Sequence, residues 1–315
     1  MSAIAIVGAG LVGRAWAITF ARGRREVRLC DDAPGACEAA RAFAAEALPM
    51  LEAEDLLDGQ SAAEVLARIH IAASLEAALD GAAHVQENTP ERLDVKKEIF
   101  GKLDRLAAPE AVLASSTSAI LPSAFTAELT GRHRCLVVHP INPPYLIPAA
   151  EIVPAPWTAP ETVERTRQLL LAVGQAPIVM KREIDGFVMN RMQGVLLEEA
   201  FRLVADGYAT VEDVDVGIRE GLALRWSFMG PFETIDLNAP DGIRDYVERY
   251  QQIYVRLFPS MQRRVDWAGP VLDAAESDRR KRLPAAKLGE RALWRDRRLM
   301  SLLAHKRRAA KTIGS

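Results

Sequence analysis

Short apolar runs alternate with longer stretches of helical period through the first 180 residues, and then the alternation stops. AIAIV (3–7), EVRLC (26–30), RIHIAAS (68–74), AHVQE (83–87), AVLASS (111–116), CLVVH (135–139), AAEIVP (149–154) and APIVM (176–180) are each short, apolar and bounded by turn residues. They are read as eight strands. Between them, residues 11–22, 34–68, 93–107 and 160–173 carry apolar positions at helical spacing. Strands that alternate with helices predict an α/β domain, a doubly wound and mostly parallel sheet covered on both faces. Beyond about residue 182 the pattern is helical only. Residues 186–207 form one long amphipathic stretch, 210–222 open on a capping threonine, and 242–258 read the same way. The expected organisation is one domain over 1–185 and an all-helical C-terminal domain over 186–315.

Composition narrows the function without choosing it. The chain has 315 residues, 49% hydrophobic and 26% charged, which suits a globular protein with its own core. A net charge of -2 gives no overall pull toward nucleic acid or an anionic membrane. The three cysteines, Cys30, Cys37 and Cys135, make no metal-type spacing and no disulfide framework. With no secretory leader pattern and no apolar run near ~20 residues, a cytoplasmic protein without metal or membrane partner is expected. The Arg- and Lys-rich stretch at 279–311 reads as a solvated helical face.

The first candidate chemistry lies at residues 8–13. GAGLVG matches G-x-G-x-x-G, a weak signal alone. Here it follows a strand, opens a helix, and precedes a second strand ending in Asp31 and Asp32. Gly8 permits the tight turn, Gly10 lets a pyrophosphate approach the backbone, and Gly13 lets the helix pack on the sheet. The helix start offers free N–H groups to the phosphates. Asp31 is placed to accept the ribose hydroxyls. A second acid beside it, with no arginine following, favours NAD over NADP.

The second lies at CLVVHPINPPYLIPAAEIVP, residues 135–154. Of five histidines, His70 and His84 fall in strand candidates, while His133 and His305 sit among basic residues. His139 alone ends a strand expected to be parallel, the edge where open α/β sheets place ligands. A proline-bearing loop follows it. Histidine titrates near neutrality, as a general base must, and Glu151 on the next strand is positioned to orient the ring. SSTS (115–118) ends another strand, and Asn190 lies early in the long helix.

GAGLVG, VQENTPERLDVKKEIF, SSTS, HPINPP, Glu151 and GFVMNR stand in an order and spacing that resemble the L-3-hydroxyacyl-CoA dehydrogenase family over roughly residues 3–258. Within it, SSTSAILPS, HPINPPYLIP and GLALRWSFMGPFETIDLNA are similar to the lambda-crystallin, or L-gulonate 3-dehydrogenase, branch. The resemblance implies a Rossmann-type N-domain, a helical C-domain that makes a homodimer, and NAD as cofactor. It implies Ser118, His139, Glu151 and Asn190 as the catalytic set. It further implies cofactor contacts from Leu11, Val12, Glu87, Lys96 and Asn142, the last near the nicotinamide. Ser116 departs from the acyl-CoA enzymes, which usually carry Asn there.

The expected reaction is oxidation of a small L-3-hydroxy acid. His139 takes the hydroxyl proton, and Ser118 and Asn190 donate to the oxygen that gains charge. Residues 33–80 hold nine acids against two arginines and no lysine. That sign is wrong for polyanionic CoA and favours a free acid, for which Arg225 is the candidate cation and Trp226 a pocket wall. Short-chain 3-hydroxyacyl-CoA, a carnitine-type substrate, and a non-enzymatic crystallin-like role are the alternatives.

Overall fold

A computed structural model describes residues 3–314. Eight strands form one sheet: β1 (Ala3–Val7), β2 (Val27–Cys30), β3 (Ile69–Ile71), β4 (Ala82–Glu87), β5 (Val112–Ser115), β6 (Cys135–Pro140), β7 (Ala149–Pro154) and β8 (Ala176–Val179). Their order is β3-β2-β1-β4-β5-β6-β7-β8. Every neighbouring pair is parallel except β6 and β7, which run antiparallel. The expected sheet is therefore present, with one correction. The strand that ends at His139 is parallel on one side only; on the other it forms a hairpin with β7.

The period-two rule decides what each strand buries. In β1, Ile4 and Ile6 join one core cluster while Ala5 and Val7 join the other. In β6, Leu136 and Val138 face the first cluster, and Cys135 and Val137 the second. Both faces are dry, so β1 is buried at all five positions and reads as a continuous apolar run. The first face is covered by α1 (Leu11–Arg22), α2 (Ala36–Ala53), α3 (Ala62–Leu66) and α7 (Pro160–Ala172). The second is covered by α4 (Leu75–Leu79), α5 (Leu93–Leu106) and α6 (Pro122–Thr126). α1 is anchored by Trp16 and Phe20, both fully buried and stacked at 5.2 Å. Each such side chain contributes roughly 1.5–3 kcal/mol by leaving water.

The single helical stretch expected over 34–68 is two helices. Asp55 and Asp58 adopt φ of 55° and 52°, and Gly59 φ of 76°, which stops the first helix. Ser61 then starts the next one with a capping box closed by Glu64.

The chain divides into two compact units. One holds the described residues up to Asn190 together with Asp296–Ala304; the other holds Arg191–Arg295 and the residues after Ala304. The second unit is helical: α8 (Met189–Ala205) continues into it, followed by α9 (Val211–Val216), α10 (Ala223–Trp226), α11 (Pro231–Asp236), α12 (Ile243–Met261) and α13 (Pro270–Arg282). The last helix, α14 (Leu288–Thr312), lends Met300 and Ala304 to the first unit's core, and Ser301 donates to Glu54 at 3.1 Å. Within the second unit, Trp267 stacks on Phe201 at 5.0 Å, and its indole donates to Glu198 at 2.9 Å. α12 buries no residue, and Ile253, Leu257 and Phe258 are 44–52% exposed. No described helix is long and apolar enough to cross a membrane.

Candidate active site at the carboxyl edge of the sheet

The glycine turn between β1 and α1 has the shape its sequence requires. Gly8 has φ of 89°, and a Cβ there would stand 2.8 Å from the Asn88 carbonyl carbon. A Cβ on Gly13 would lie 1.9 Å from the Gly8 oxygen. Neither position tolerates a side chain. Gly10 has open space within 4 Å, so a ligand can approach its backbone, and the start of α1 beyond it holds Leu11 (59% exposed) and Val12. Asp31, at the end of β2, accepts from the Ala9 N–H at 2.6 Å and the Ala33 N–H at 2.8 Å. The carboxylate is thereby held at the glycine turn with lone pairs to spare. Just after β6, Asn142 has a buried side-chain oxygen with no hydrogen-bond partner among the described residues. An uncrowded turn, a fixed acid and an unpaired amide fit a dinucleotide.

Glu87 and Lys96, which the resemblance offers as cofactor contacts, bond each other. Both are buried, at 0% and 1% exposure. Lys96 donates to Glu87 at 2.8 Å and to the Thr89 carbonyl at 2.9 Å. Ser115 donates to the same carboxylate at 2.6 Å. The pair is satisfied within the protein, and its direct effect is to brace the 87–89 turn. A buried charge pair this well bonded keeps its geometry because breaking it is costly.

Sequence reasoning passed over Glu91. One of its oxygens accepts from the Thr117 hydroxyl at 2.6 Å, the Ser118 N–H at 2.9 Å and the Ala119 N–H at 3.0 Å. It is the carboxylate that shapes the S-S-T-S turn. Its signal was available only as an acid in the loop after β4, since nothing in the spacing shows that this loop meets residues 117–119.

His139 and Glu151 are brought together by the one antiparallel ladder, where they are directly opposite partners. Opposed residues in such a pair share a face. The His139 Nδ1 lies 2.7 Å from Glu151 Oε2, with the histidine 6% and the glutamate 0% exposed. A carboxylate has no hydrogen to give, so the hydrogen on this bond belongs to Nδ1; in a neutral imidazole held this way the lone pair is on Nε2. The second Glu151 oxygen accepts from the Val188 N–H at 2.6 Å and the Met189 N–H at 3.0 Å. One acid thus orients the imidazole and caps α8, as carboxylates do at helix starts. Phe187, fully buried at φ of 50°, lays its ring 5.5 Å from that of His139. A bulky residue in the left-handed region is a strained position, and such strain gathers at functional sites.

One residue further along α8, Asn190 donates to the Ser118 carbonyl at 2.7 Å. The four expected catalytic residues are thereby linked through one helix start: Glu151 holds its first N–H groups, and Asn190 holds the serine turn. Ser118 itself is exposed. Arg225 and Trp226 belong to the second unit. Arg225 is exposed and donates to Asn238 at 3.4 Å, while Trp226 is half-buried. Among the described residues no group of three His, Cys, Asp or Glu side chains is arranged to hold a metal.

The model of the 3-hydroxyacyl-CoA dehydrogenase NAD-binding domain matches residues 3–184, and that of the 3-hydroxyacyl-CoA dehydrogenase C-terminal domain matches 186–270. The chain belongs to the 3-hydroxyacyl-CoA dehydrogenase family. Like its family, it is an NAD-dependent oxidoreductase. A lambda-crystallin homolog from Bos taurus is 40% identical over 302 residues, covering 95% of this chain and 94% of the relative. An L-carnitine dehydrogenase from Pseudomonas putida is 39% identical over 247 residues, 78% of this chain and 76% of that one. Among solved structures, an NAD+-dependent dismutase, 5-formyl-3-hydroxy-2-methylpyridine 4-carboxylic acid 5-dehydrogenase, superposes with a TM-score of 0.82 at 27% identity, with 98% of each chain covered.

Proposed function

We propose that this family member oxidises the 3-hydroxyl of a small, free L-3-hydroxy acid, with His139 as the general base. The observation that carries the reading is the buried His139–Glu151 pair at 2.7 Å, which engages Nδ1 and holds the ring, so that Nε2 of the neutral imidazole is the nitrogen left to take a proton. NAD would be held by the Gly10 backbone, Asp31 and Asn142, and would supply the hydride acceptor for C3 of the substrate. His139 takes the hydroxyl proton on Nε2, and Glu151 balances the charge that the ring then carries. The Ser118 hydroxyl donates to the oxygen as it gains carbonyl character, and Asn190 holds the Ser118 carbonyl and fixes that turn. Support for a free acid comes from charge. Glu38, Glu46, Glu52, Asp55, Asp58 and Glu64 are exposed on and between α2 and α3, a surface that repels polyanionic CoA. The likeness to lambda-crystallin homologs and to an L-carnitine dehydrogenase points the same way.

The test is NADH formation at 340 nm with L-gulonate, L-3-hydroxybutyrate, L-carnitine and L-3-hydroxybutyryl-CoA side by side. A free acid is expected to give the highest kcat/KM. His139→Asn is expected to lower it by ~10²–10⁴-fold, the usual worth of a general base. A preference for the CoA ester would overturn the substrate reading, and near-normal turnover of the variant would overturn the role of His139.

The apolar face left open on α12 supports a homodimer. Sedimentation is expected to give twice the 34.5 kDa chain mass, and Phe258→Asp is expected to shift it to one. A wild-type chain that sediments as one copy at micromolar concentration would refute this.

A further inference from the structure

Ser116 lies outside the reaction just described, yet its hydroxyl is fully used. The Trp16 indole N–H donates to Ser116 Oγ at 3.0 Å, and Gln86 Nε2 donates to it at 2.7 Å. Ser116 Oγ in turn donates to Asn88 Oδ1 at 2.7 Å. The directions are forced. An indole nitrogen can only donate. Gln86 Nε2 also meets the Val138 carbonyl at 3.2 Å, which can only accept, so the amide orientation is fixed. Asn88 Nδ2 donates to the Gln86 carbonyl at 2.8 Å, which turns its oxygen to Ser116. Two bonds accepted and one donated exhaust what a hydroxyl can do. The same logic continues downward: Gln86 Oε1 faces His84 Nε2 at 3.0 Å, so His84 carries its hydrogen on Nε2.

These bonds close a ring around the cofactor turn. The glycine turn runs into α1, which carries Trp16. Trp16 is tied through Ser116 to Asn88. Asn88 is the residue whose backbone Gly8 is pressed against, with room for no Cβ between them. Ser116 is also two residues from Ser118, so the ring joins the dinucleotide turn to the turn that faces the substrate. Asparagine could not serve here in the same way, because it divides donor and acceptor between two atoms and no single atom would meet all three partners.

We propose that Ser116 is a positioning residue for the dinucleotide: its hydroxyl locks α1 and the glycine turn to the ends of β4 and β5. Removing the hydroxyl leaves two donors without their acceptor and frees the turn to drift. The expected consequence is weaker binding of NADH, not merely a less stable fold.

Calorimetric titration of NADH into the 315-residue protein tests this with no substrate present, so its outcome is independent of the proposed substrate and base. Ser116→Ala is expected to raise the NADH Kd about tenfold, the equivalent of roughly 1.4 kcal/mol. Ser116→Thr, which keeps the hydroxyl, is expected to restore most of the affinity. Trp16→Phe, which loses the N–H, is expected to weaken binding less, and to add little on top of Ser116→Ala because both act through one bond. A Ser116→Ala protein that melts earlier but binds NADH as tightly as wild type would overturn the proposal. So would full additivity in the double variant, or a threonine variant as weak as the alanine one. Should the alanine variant not fold, Trp16→Phe decides alone, and unchanged NADH affinity in it is the refuting result.

Discussion

Glu151→Gln is the sharpest perturbation this site offers, because it changes one atom and no volume. Three N–H donors converge on the carboxylate: His139 Nδ1 at 2.7 Å, Val188 at 2.6 Å and Met189 at 3.0 Å. A carboxylate accepts from all three. An amide has one oxygen and one NH₂, and the NH₂ can only donate. If that NH₂ faces Val188 and Met189, two backbone donors at the start of α8 lose their acceptor in a buried place, at about 1–3 kcal/mol each. If it faces His139 instead, only one bond changes, and the ring adapts by moving its hydrogen from Nδ1 to Nε2. The second arrangement wins on energy. It leaves Nε2 protonated, with no lone pair for the substrate hydroxyl. The wrong tautomer in a Ser-His-Asp triad drops kcat by about 10⁴, or roughly 5.5 kcal/mol of barrier. We expect a loss of similar size here, read as NADH formation at 340 nm on the best acid of the panel, with NADH titration as the control for an intact fold. A loss smaller than tenfold would show that Glu151 does not set the tautomer, and the reasoning would fail with it.

Two further outcomes follow from buried titratable groups. Burial holds the His84 imidazole down, from 6.5 to about 4, with the Gln86 hydrogen bond pulling weakly the other way. The unfolded chain therefore takes up a proton that the folded one refuses, so stability is whole above pH 6.5 and falls as the pH drops toward 4. The loss is on the order of 3 kcal/mol. Urea midpoints of wild type should decline over that window and those of His84→Gln should decline less; equal declines would refute it. Burial likewise pushes the Cys30 thiol up to about 11 and Cys135 to about 12, and raises Cys37. Ellman's reagent at pH 8 should leave the native protein unlabelled and count three thiols in guanidinium, whereas a stoichiometric burst on the native protein would contradict this.

Much of this was legible in the sequence because local rules agreed with the fold. All eight strands were visible as short apolar runs, and the glycine turn was legible because its three glycines stood between a strand and a helix. His139, Glu151, Ser118 and Asn190 were singled out by their places at strand ends and in an early helix turn and by the family resemblance, and the fold brings Glu151 to His139 and Asn190 to the Ser118 carbonyl. What sequence did not show is pairing. Nothing local states that β6 and β7 run antiparallel, so the direct opposition of His139 and Glu151 appears only in the register. Glu87 and Lys96 are offered as cofactor contacts by the resemblance; that they are buried and bond each other shows only in space. Glu91 and the Trp16–Ser116 bond span 26 and 100 residues of sequence, respectively, and such closures leave no periodic trace. The break in 34–68 was missed because two aspartates took a backbone conformation more often given to glycine.

The hairpin of β6 and β7 has a consequence for how this scaffold can diversify. His139 and Glu151 are set opposite each other by the ladder, from Leu136↔Pro154 to Pro140↔Ala150, and not by the loop that joins the strands. A change of sequence in the joining loop would leave that register standing, yet the loop is tied down on its own account: Tyr145 and Leu146 are buried in the first core cluster, and the Tyr145 and Pro144 carbonyls accept from Arg22 at 2.9 Å and Gln175 at 3.0 Å. Room for new selectivity next to the pair is therefore narrow, and falls to Ile141, the exposed residue of the loop.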